Sequence, residues 1–450
     1  MKLYSENKSY KLYQGNMLDM LEVIEPNTID SIVTDPPYEL NFMGKGWDNA
    51  GVSFNADTWK KCFEVLKPGG YLLAFGGSRT YHRIACAIED AGFEIRDTIM
   101  WLYGSGFPKS MDISKQIDKH LGIERQIIGK KEKRGGMKAS FGGSDYKESA
   151  LNITEPTSDL AKQWQGWGTC LKPSFEPIIV ARKPFKGSLV DNVIENGVGG
   201  INIDECRVGN ETHKVNINDF SNQHGNKFGN GEPIAKLGGK EITGRFPANT
   251  ILTYDETDFD EVCEGFPITN GGKRHNTAKR VEEGTSYYKE KDFIFNRNEF
   301  NDSGSASRYF YCAKASKKDR DEGLDGFEIK QCVGGGGGIG DYLKDVNSCS
   351  GKFGSEKAPH KNTHPTVKPT ELMQYLVRLV TPNNGTILDP FNGSGSTGKA
   401  VMYENKERNK NYKYIGIELT EEYLPIAAAR IEYVCKDSCE SNEDKFDDLD

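Results

Sequence analysis

The chain has 450 residues, 36% of them hydrophobic and 28% charged, with a formal net charge of −8. That length gives room for roughly two or three domains and for a core able to bury an α/β sheet. No apolar stretch reaches membrane-spanning length and the N-terminus, MKLYSENKSYKLY, is too polar for a signal peptide, so a cytoplasmic protein with no membrane partner is expected.

The charge balance says little about partners. Residues 436–450 hold seven acids against two lysines, which leaves −3 for the rest of the chain. Such a block at a terminus reads as an acidic, disordered tail. A local basic cluster stands at Lys130, Lys131, Lys133 and Arg134. The ten cysteines are scattered with no C-x-x-C pair, which suits free thiols in a reducing compartment. His360 and His364 have metal-ligand spacing, but no Glu or Cys completes a pattern and Pro365 follows, so no metal site is expected.

Strands and helices alternate through the first hundred residues. Tyr10–Tyr13 reads as a strand. Ile29–Asp35 is a β-branched run and a second strand, ended by Asp35-Pro36-Pro37-Tyr38. The two prolines forbid its continuation and hold an extended turn. A carboxylate, a carbonyl and an aromatic ring thereby converge, a trio suited to a planar molecule bearing an amino group. Trp59–Leu66 reads as a helix stopped by Pro68-Gly69-Gly70, Tyr71–Phe75 as a strand, Tyr81–Ala91 as a helix and Phe93–Trp101 as a strand. The pattern implies a mostly parallel sheet with helices on both faces. A polar insertion, 109–171, interrupts it, and Glu176–Arg182 resumes it.

From 186 to 359 the chain is crowded with Gly, Asn, Ser and Asp, including the five glycines Gly334–Gly338, which read as a linker or loop tip. Only short apolar pieces survive there, such as Phe246–Leu252 and Arg308–Cys312. The expectation is an insertion of sparse structure that orders on a partner. Regular patterning returns with an amphipathic helix at Thr370–Val380, a strand at Thr386–Asp389, a helix beginning at Lys399–Tyr403, a strand at Tyr412–Glu418 and a helix at Glu421–Val434. A domain begun at residues 1–185 is thus expected to be completed by 360–435, with 186–359 inserted and 436–450 as tail.

A second site stands in that last segment. The loop Asp389-Pro390-Phe391-Asn392-Gly393-Ser394-Gly395 leaves a strand and opens a helix, so its glycines admit close backbone approach and the helix N-terminus favours an anion. Glu418, ending the next strand, is placed to bond ribose hydroxyls. Three nucleoside cofactors could use this arrangement. A nucleoside triphosphate fits G-x-x-x-x-G-K from Gly393 to Lys399, but Ala400 stands where a hydroxyl should hold magnesium, and Asp389 would repel phosphate. A dinucleotide fits the glycine spacing, but no hydride-transfer acid or base stands nearby. S-adenosylmethionine suits every part: ammonium at Asp389, carboxylate at the helix N-terminus, ribose at Glu418.

With these residues in view, the chain resembles the amino-methyltransferases of DNA, in the permuted group whose catalytic motif precedes the cofactor motif. The resemblance rests on DPPY at 35–38, DPFNGSG at 389–395 and HPTVKP at 364–369. It implies a Rossmann-like, circularly permuted α/β methyltransferase fold with a large loop-rich insertion. It also implies S-adenosyl-L-methionine as cofactor, held by Phe391, Gly393, Ser394 and Gly395. Thr366 and Lys368 are implicated at its methionine end. Where relatives often carry Gly-Asp facing the adenine of the cofactor, this chain has Gly15-Asn16, so Asn16 is a candidate contact without the charge. Residues 186–359 occupy the place of target recognition.

The mechanism implied is direct transfer. Asp35 and the Pro36 carbonyl accept the two N–H bonds of an exocyclic amine and localise its lone pair, Pro37 keeps the turn rigid, and Tyr38 stacks on a base flipped out of double-stranded DNA. Methylation at cytosine carbon 5 would need a Pro-Cys nucleophile, and the chain has no such dipeptide. The resemblance associates an acidic first position with adenine N6, and cytosine N4 is the alternative. More remote alternatives are an RNA or protein-glutamine methyltransferase, a P-loop-like NTPase and an inactive DNA-binding module. A homodimer and a companion restriction enzyme complete the candidate partners.

Overall fold

A computed structural model describes residues 2–40, 51–103, 110–130, 152–215, 240–254, 266–270, 303–314, 317–328 and 361–443. The expected five-glycine linker, Lys131, Lys133, Arg134 and residues 444–450 lie outside the described residues. Two compact units divide the chain: one is formed by Met1–Leu102, Glu176–Gly323 and Val367–Asp450, the other by Tyr103–Phe175 and Leu324–Thr366.

The first unit is built on a ten-stranded sheet. Its spatial order is Lys2–Glu6, Tyr10–Gln14, Lys413–Glu418, Thr386–Asp389, Ile29–Thr34, Leu66–Phe75, Phe175–Arg182, Glu94–Tyr103, Thr250–Tyr254, Tyr311–Lys314. The five strands from Tyr10–Gln14 to Leu66–Phe75 run parallel, and Phe175–Arg182 is antiparallel to its neighbour Leu66–Phe75. Two C-terminal strands thus sit between the N-terminal hairpin and the strand that precedes DPPY. This is the permuted, Rossmann-like α/β arrangement.

Ile29–Thr34 is buried along its whole length, as a central parallel strand must be. Its polar residues are all satisfied. Asp30 accepts from Lys67 Nζ at 2.6 Å and from the Thr386 amide at 2.7 Å, Ser31 shares a 2.8 Å hydrogen bond with Thr381, and Thr34 donates to Asp389. Ile29 and Ile32 join Met17, Met20, Trp59, Cys62, Val65, Ile84 and Ile88 in the main core.

Asn55 caps the helix Ala56–Val65 by accepting from the Asp57 amide at 3.0 Å, and Trp59, Cys62 and Val65 are buried along it. Pro68-Gly69-Gly70 does not form the expected helix stop. The chain turns extended at Leu66, and the next strand, Leu66–Phe75, runs through the three residues. Gly69 takes φ +84°, and its amide bonds the Lys183 carbonyl of the antiparallel neighbour at 2.9 Å.

The stretch from 186 to 323 differs from the expectation of sparse structure. Thr250–Tyr254 and Tyr311–Lys314 pair in parallel and widen the main sheet. Leu189–Asn196 is a helix closed by a Ser188–Asp191 capping box and by Gly197 at φ +72°. Two short strands in Gly- and Asn-rich surroundings lack the length that makes alternation legible.

Thr370–Val380 matches its expected span and is buried except at Glu371. Arg378 of that helix makes a bidentate pair with the fully buried Glu404, at 3.0 and 2.6 Å. The last helix, Leu424–Glu443, continues past Val434 into the segment expected as tail.

The second unit holds a helix at Ile113–His120, an antiparallel pair of strands, Gln126–Lys130 and Asn152–Glu155, and a short helix at Asp159–Gln163. Buried Asp118 organises it, accepting from the amides of Thr157 and Ser158, the Ser158 hydroxyl and Arg125 Nη1. Among the described residues no helix is long and apolar enough to cross a membrane, and no cluster of metal-ligating side chains occurs.

Candidate active site

From Thr386–Asp389 the chain crosses to Lys413–Glu418 on one side, and from Ile29–Thr34 it crosses to Leu66–Phe75 on the other. The two strands are themselves adjacent and parallel. Connections leaving in opposite directions open a crevice at the carboxyl ends of these strands, the general ligand position of doubly wound sheets. DPPY and the glycine loop both begin there.

Asp35 follows the end of its strand and is one-fifth exposed along its side chain. Its Oδ2 receives Lys368 Nζ at 2.6 Å, while its Oδ1 is buried and has no hydrogen-bond partner. An orphaned buried acceptor costs about 1–3 kcal/mol unless a ligand satisfies it. Lys368 also lies 3.4 Å from Glu176 Oε2, and that same oxygen receives the Tyr38 hydroxyl at 2.7 Å. Four side chains from three segments thus form one network.

Burial pushes the Asp35 carboxyl above the usual carboxylate range, against the pull of Lys368 and with a further push from Glu176. Burial alone would lower Lys368, but Asp35 and Glu176 more than offset it and raise the ammonium's pKa. The ammonium stands 5.4 Å from the centre of the Tyr38 ring and 5.0 Å from that of Phe75. A Cβ at Gly77 would come within 3.1 Å of the Tyr38 ring, so that glycine gives the ring its place. The Pro37 carbonyl accepts from Ser53 Oγ at 2.5 Å, which pins the proline turn to the start of the next helical segment.

At the second motif, Asp389 is 2% exposed and holds the loop from inside. Its Oδ1 accepts from Thr34 Oγ1 at 2.6 Å and the Phe391 amide at 3.1 Å, and its Oδ2 from Thr397 Oγ1 at 2.6 Å. Burial raises this carboxyl to about 6. Gly393 and Gly395 take φ +53° and +75°, and a Cβ on Gly395 would meet the Ala427 backbone at 3.0 Å. Arg430, fully buried, ties the loop down through the Ser394 carbonyl at 2.8 Å and the Ser394 and Ser396 hydroxyls. Phe391 is partly buried against the core and lies 6.3 Å from Trp59, ring to ring.

Glu418 closes the far side of the loop. Its Oε2 accepts from the Gly393 amide and its Oε1 from the Thr420 amide, each at 2.7 Å, and burial raises it to about 7. Each oxygen keeps a lone pair for a further donor. The Gly15 amide bonds the Glu418 carbonyl at 3.0 Å, which brings Asn16 to the same strand end. There Asn16 caps the helix Met17–Leu21 by accepting from the Leu18 amide at 3.0 Å.

The sequence implicates Lys368 at the methionine end of the cofactor; in the structure its ammonium pairs with Asp35. Glu176, in the same network, was read only as part of a strand. Thr366 belongs to the second unit, where it forms a tight turn with His364, whose Nδ1 stands 3.0 Å from the Thr366 carbonyl oxygen and 3.3 Å from its amide nitrogen. Lys399, the residue a phosphate loop would present to its ligand, is fully buried and paired with Asp319 at 2.6 Å and Glu322 at 2.7 Å. No sequence signal marked Asp319, which also accepts from the Thr370 amide and hydroxyl.

The model of the N6_N4_Mtase family, DNA methylase, matches residues 29–197 and 206–429. The type II methyltransferase M.HindIII of Haemophilus influenzae is 23% identical over 42% of this chain, and the match spans 64% of that protein, less than two thirds of its length. The type II methyltransferase M2.LlaDCHI of Lactococcus lactis subsp. cremoris is 39% identical over 44% of this chain and 82% of its own. Among solved structures, the cytosine-N4-specific PvuII DNA methyltransferase aligns at 13% identity and a TM-score of 0.39, covering 96% of this chain and 92% of that one. The family match spans both halves of the crevice, DPPY and the glycine loop together, and on it the chain belongs to the DNA methylase family, the N6/N4 amino-methyltransferases.

Proposed function

We propose that this protein methylates the exocyclic N6 of adenine in double-stranded DNA, acting on a base flipped out of the helix. S-adenosylmethionine is the methyl donor of the family. The residues at the crevice fit it. Glycines at positive φ let the loop backbone come close to a ligand, and the first amides of the helix Ser396–Arg408 would face its anionic group. Glu418 retains acceptor capacity for ribose hydroxyls. Gly393, Ser394, Gly395 and Phe391 would line the donor, with Asn16 as a further contact. Asp389 would face its ammonium while bracing the loop.

The observation that carries the reading is the buried, partnerless Oδ1 of Asp35. An amino group presenting two N–H bonds to Asp35 and the Pro36 carbonyl would satisfy it. Those hydrogen bonds draw the nitrogen lone pair out of the ring's conjugation and aim it at the sulfonium methyl. S-adenosylmethionine would supply the methyl group and keep the S–C electron pair on its sulfur, and Asp35 would take the proton that the methylated nitrogen must lose. Tyr38 supplies the stacking face, its hydroxyl fixed by Glu176. Adenine is favoured over cytosine by the acid at the first position of DPPY, in keeping with the resemblance. A companion restriction enzyme and a second copy of the chain are the further partners we propose.

The test is incubation with tritiated S-adenosylmethionine and unmethylated DNA, followed by mass spectrometry of the labelled base. N6-methyladenine is the expected product. N4-methylcytosine would move the assignment to cytosine, and label on RNA or protein but not on DNA would overturn it.

A further inference from the structure

We propose that Lys368 and Glu176 are positioning residues for the target amine, setting which oxygen of Asp35 is offered to the base and in what charge state. The inference rests on the amino-methyltransferase reading above and adds to it two residues outside DPPY. Lys368 Nζ occupies Asp35 Oδ2 at 2.6 Å, and Oδ1 is left as the partnerless oxygen of that carboxylate. Without the ammonium, the carboxylate would be free to rotate and present either oxygen. With it, one lone-pair direction faces the base pocket. The ammonium is 7% exposed along its side chain, so water screens it little.

Glu176 acts in two directions. Its Oε2 takes the Tyr38 hydroxyl at 2.7 Å, which holds the stacking ring, and it stands 3.4 Å from Lys368, which shares the cation between two carboxylates. The charges acting on Asp35 from the packed elements are therefore Lys368 and Glu176, with the Tyr38 hydroxyl beside them and Asp389 across the crevice. One ammonium against two near carboxylates leaves the pocket net negative. That suits a neutral amine that becomes cationic as it is methylated, since the pocket is then complementary to the charge that develops.

The two residues must act on Asp35 with opposite sign. Loss of the cation raises the pH at which Asp35 takes up a proton, and loss of the neighbouring carboxylate lowers it. The experiment compares Lys368→Met, Lys368→Arg and Glu176→Gln with the wild type over pH 5 to 9. The first readout needs no substrate: an infrared titration of the Asp35 carboxyl, assigned by its disappearance in Asp35→Asn. Protonation should move up by about one pH unit or more in Lys368→Met and down in Glu176→Gln, with Lys368→Arg close to wild type. The second readout is the pH profile of kcat on unmethylated DNA. Its acid limb should follow the same order, and Lys368→Met should lose about tenfold or more at neutral pH and recover as pH rises.

Shifts in the same direction for both variants, or a fall in kcat that does not vary with pH, would overturn the inference. If Lys368→Met fails to fold, the downward shift in Glu176→Gln still decides it. If wild type labels no DNA while the infrared shifts occur as stated, the methyltransferase reading is at fault and the charge assignment at Asp35 stands.

Discussion

Thr34 Oγ1 donates to Asp389 Oδ1 at 2.6 Å, joining the last residues of two adjacent parallel strands that are 355 positions apart in sequence. One of these strands delivers DPPY and the other the glycine loop, so this single hydrogen bond registers the two motifs against each other. Thr34→Val keeps the shape and removes the donor. We expect a loss of about 1–3 kcal/mol in chemical denaturation, because Asp389 is left short of one partner in a dry site. Weaker S-adenosylmethionine binding should accompany it in calorimetry. A variant as stable as wild type would show that the bond does not hold the strands.

The pH dependence of cofactor binding has a definite sign. Glu418, raised by burial to about 7, accepts donors best when ionised. S-adenosylmethionine affinity should therefore fall as pH drops through about 7, by at most about tenfold per pH unit. Stability should move the other way. The folded pKa of Glu418 lies above its ordinary 4.5, so the folded state binds the proton more tightly. The stability this group contributes is full at low pH and is lost as pH rises through about 7. Glu418→Gln should flatten the affinity profile. Affinity that is flat with pH in the wild type would remove Glu418 from the cofactor site.

How much of this was legible in the sequence depends on how each feature is encoded. Thr370–Val380 and Thr386–Asp389 could be read to the residue, because helical periodicity and a strand-ending Asp-Pro are local signals. Thr250–Tyr254 and Tyr311–Lys314 could not, since strands of five and four residues in Gly- and Asn-rich surroundings carry too little alternation. The helix Leu189–Asn196 was hidden for a different reason. Its apolar residues Val190 and Ile194 are 67% and 80% exposed, so it has no core-facing stripe to detect. At the site, the residue types of DPPY and of the glycine loop marked themselves. Lys368 and Glu176 reach Asp35 only through the closure of the sheet, and no spacing along the chain encodes that.

Gly395 and Gly51 separate backbone strain from site geometry. Both lie in the left-handed region, at φ +75° and +71°. A Cβ at Gly395 meets the Ala427 backbone at 3.0 Å, whereas one at Gly51 meets nothing within 4 Å. Gly51→Ala should cost about 1–2 kcal/mol from φ alone and leave cofactor binding intact. Gly395→Ala should cost more, and it should weaken S-adenosylmethionine binding at least tenfold because the loop must shift off the last helix. Equal effects of the two substitutions on binding would show that the close approach at Gly395 is not what shapes the loop.

Lys399 decides between a methyl-donor loop and a phosphate loop. A phosphate-binding lysine must be free to meet its ligand, but here the ammonium is fully buried and spent on Asp319 and Glu322. Asp319 in turn holds the N-terminus of the helix Thr370–Val380 through Thr370, and Glu322 receives the Tyr403 hydroxyl at 2.9 Å. The lysine therefore ties the glycine-loop helix to two other segments. Lys399→Met leaves both carboxylates facing an uncharged thioether, and a loss of about 3 kcal/mol in stability is expected. S-adenosylmethionine affinity, measured below the unfolding transition, should change by no more than a few fold, and wild type should show no heat of binding with ATP and magnesium. A phosphate loop requires the reverse: ATP binding in wild type, abolished in Lys399→Met, with stability nearly unchanged.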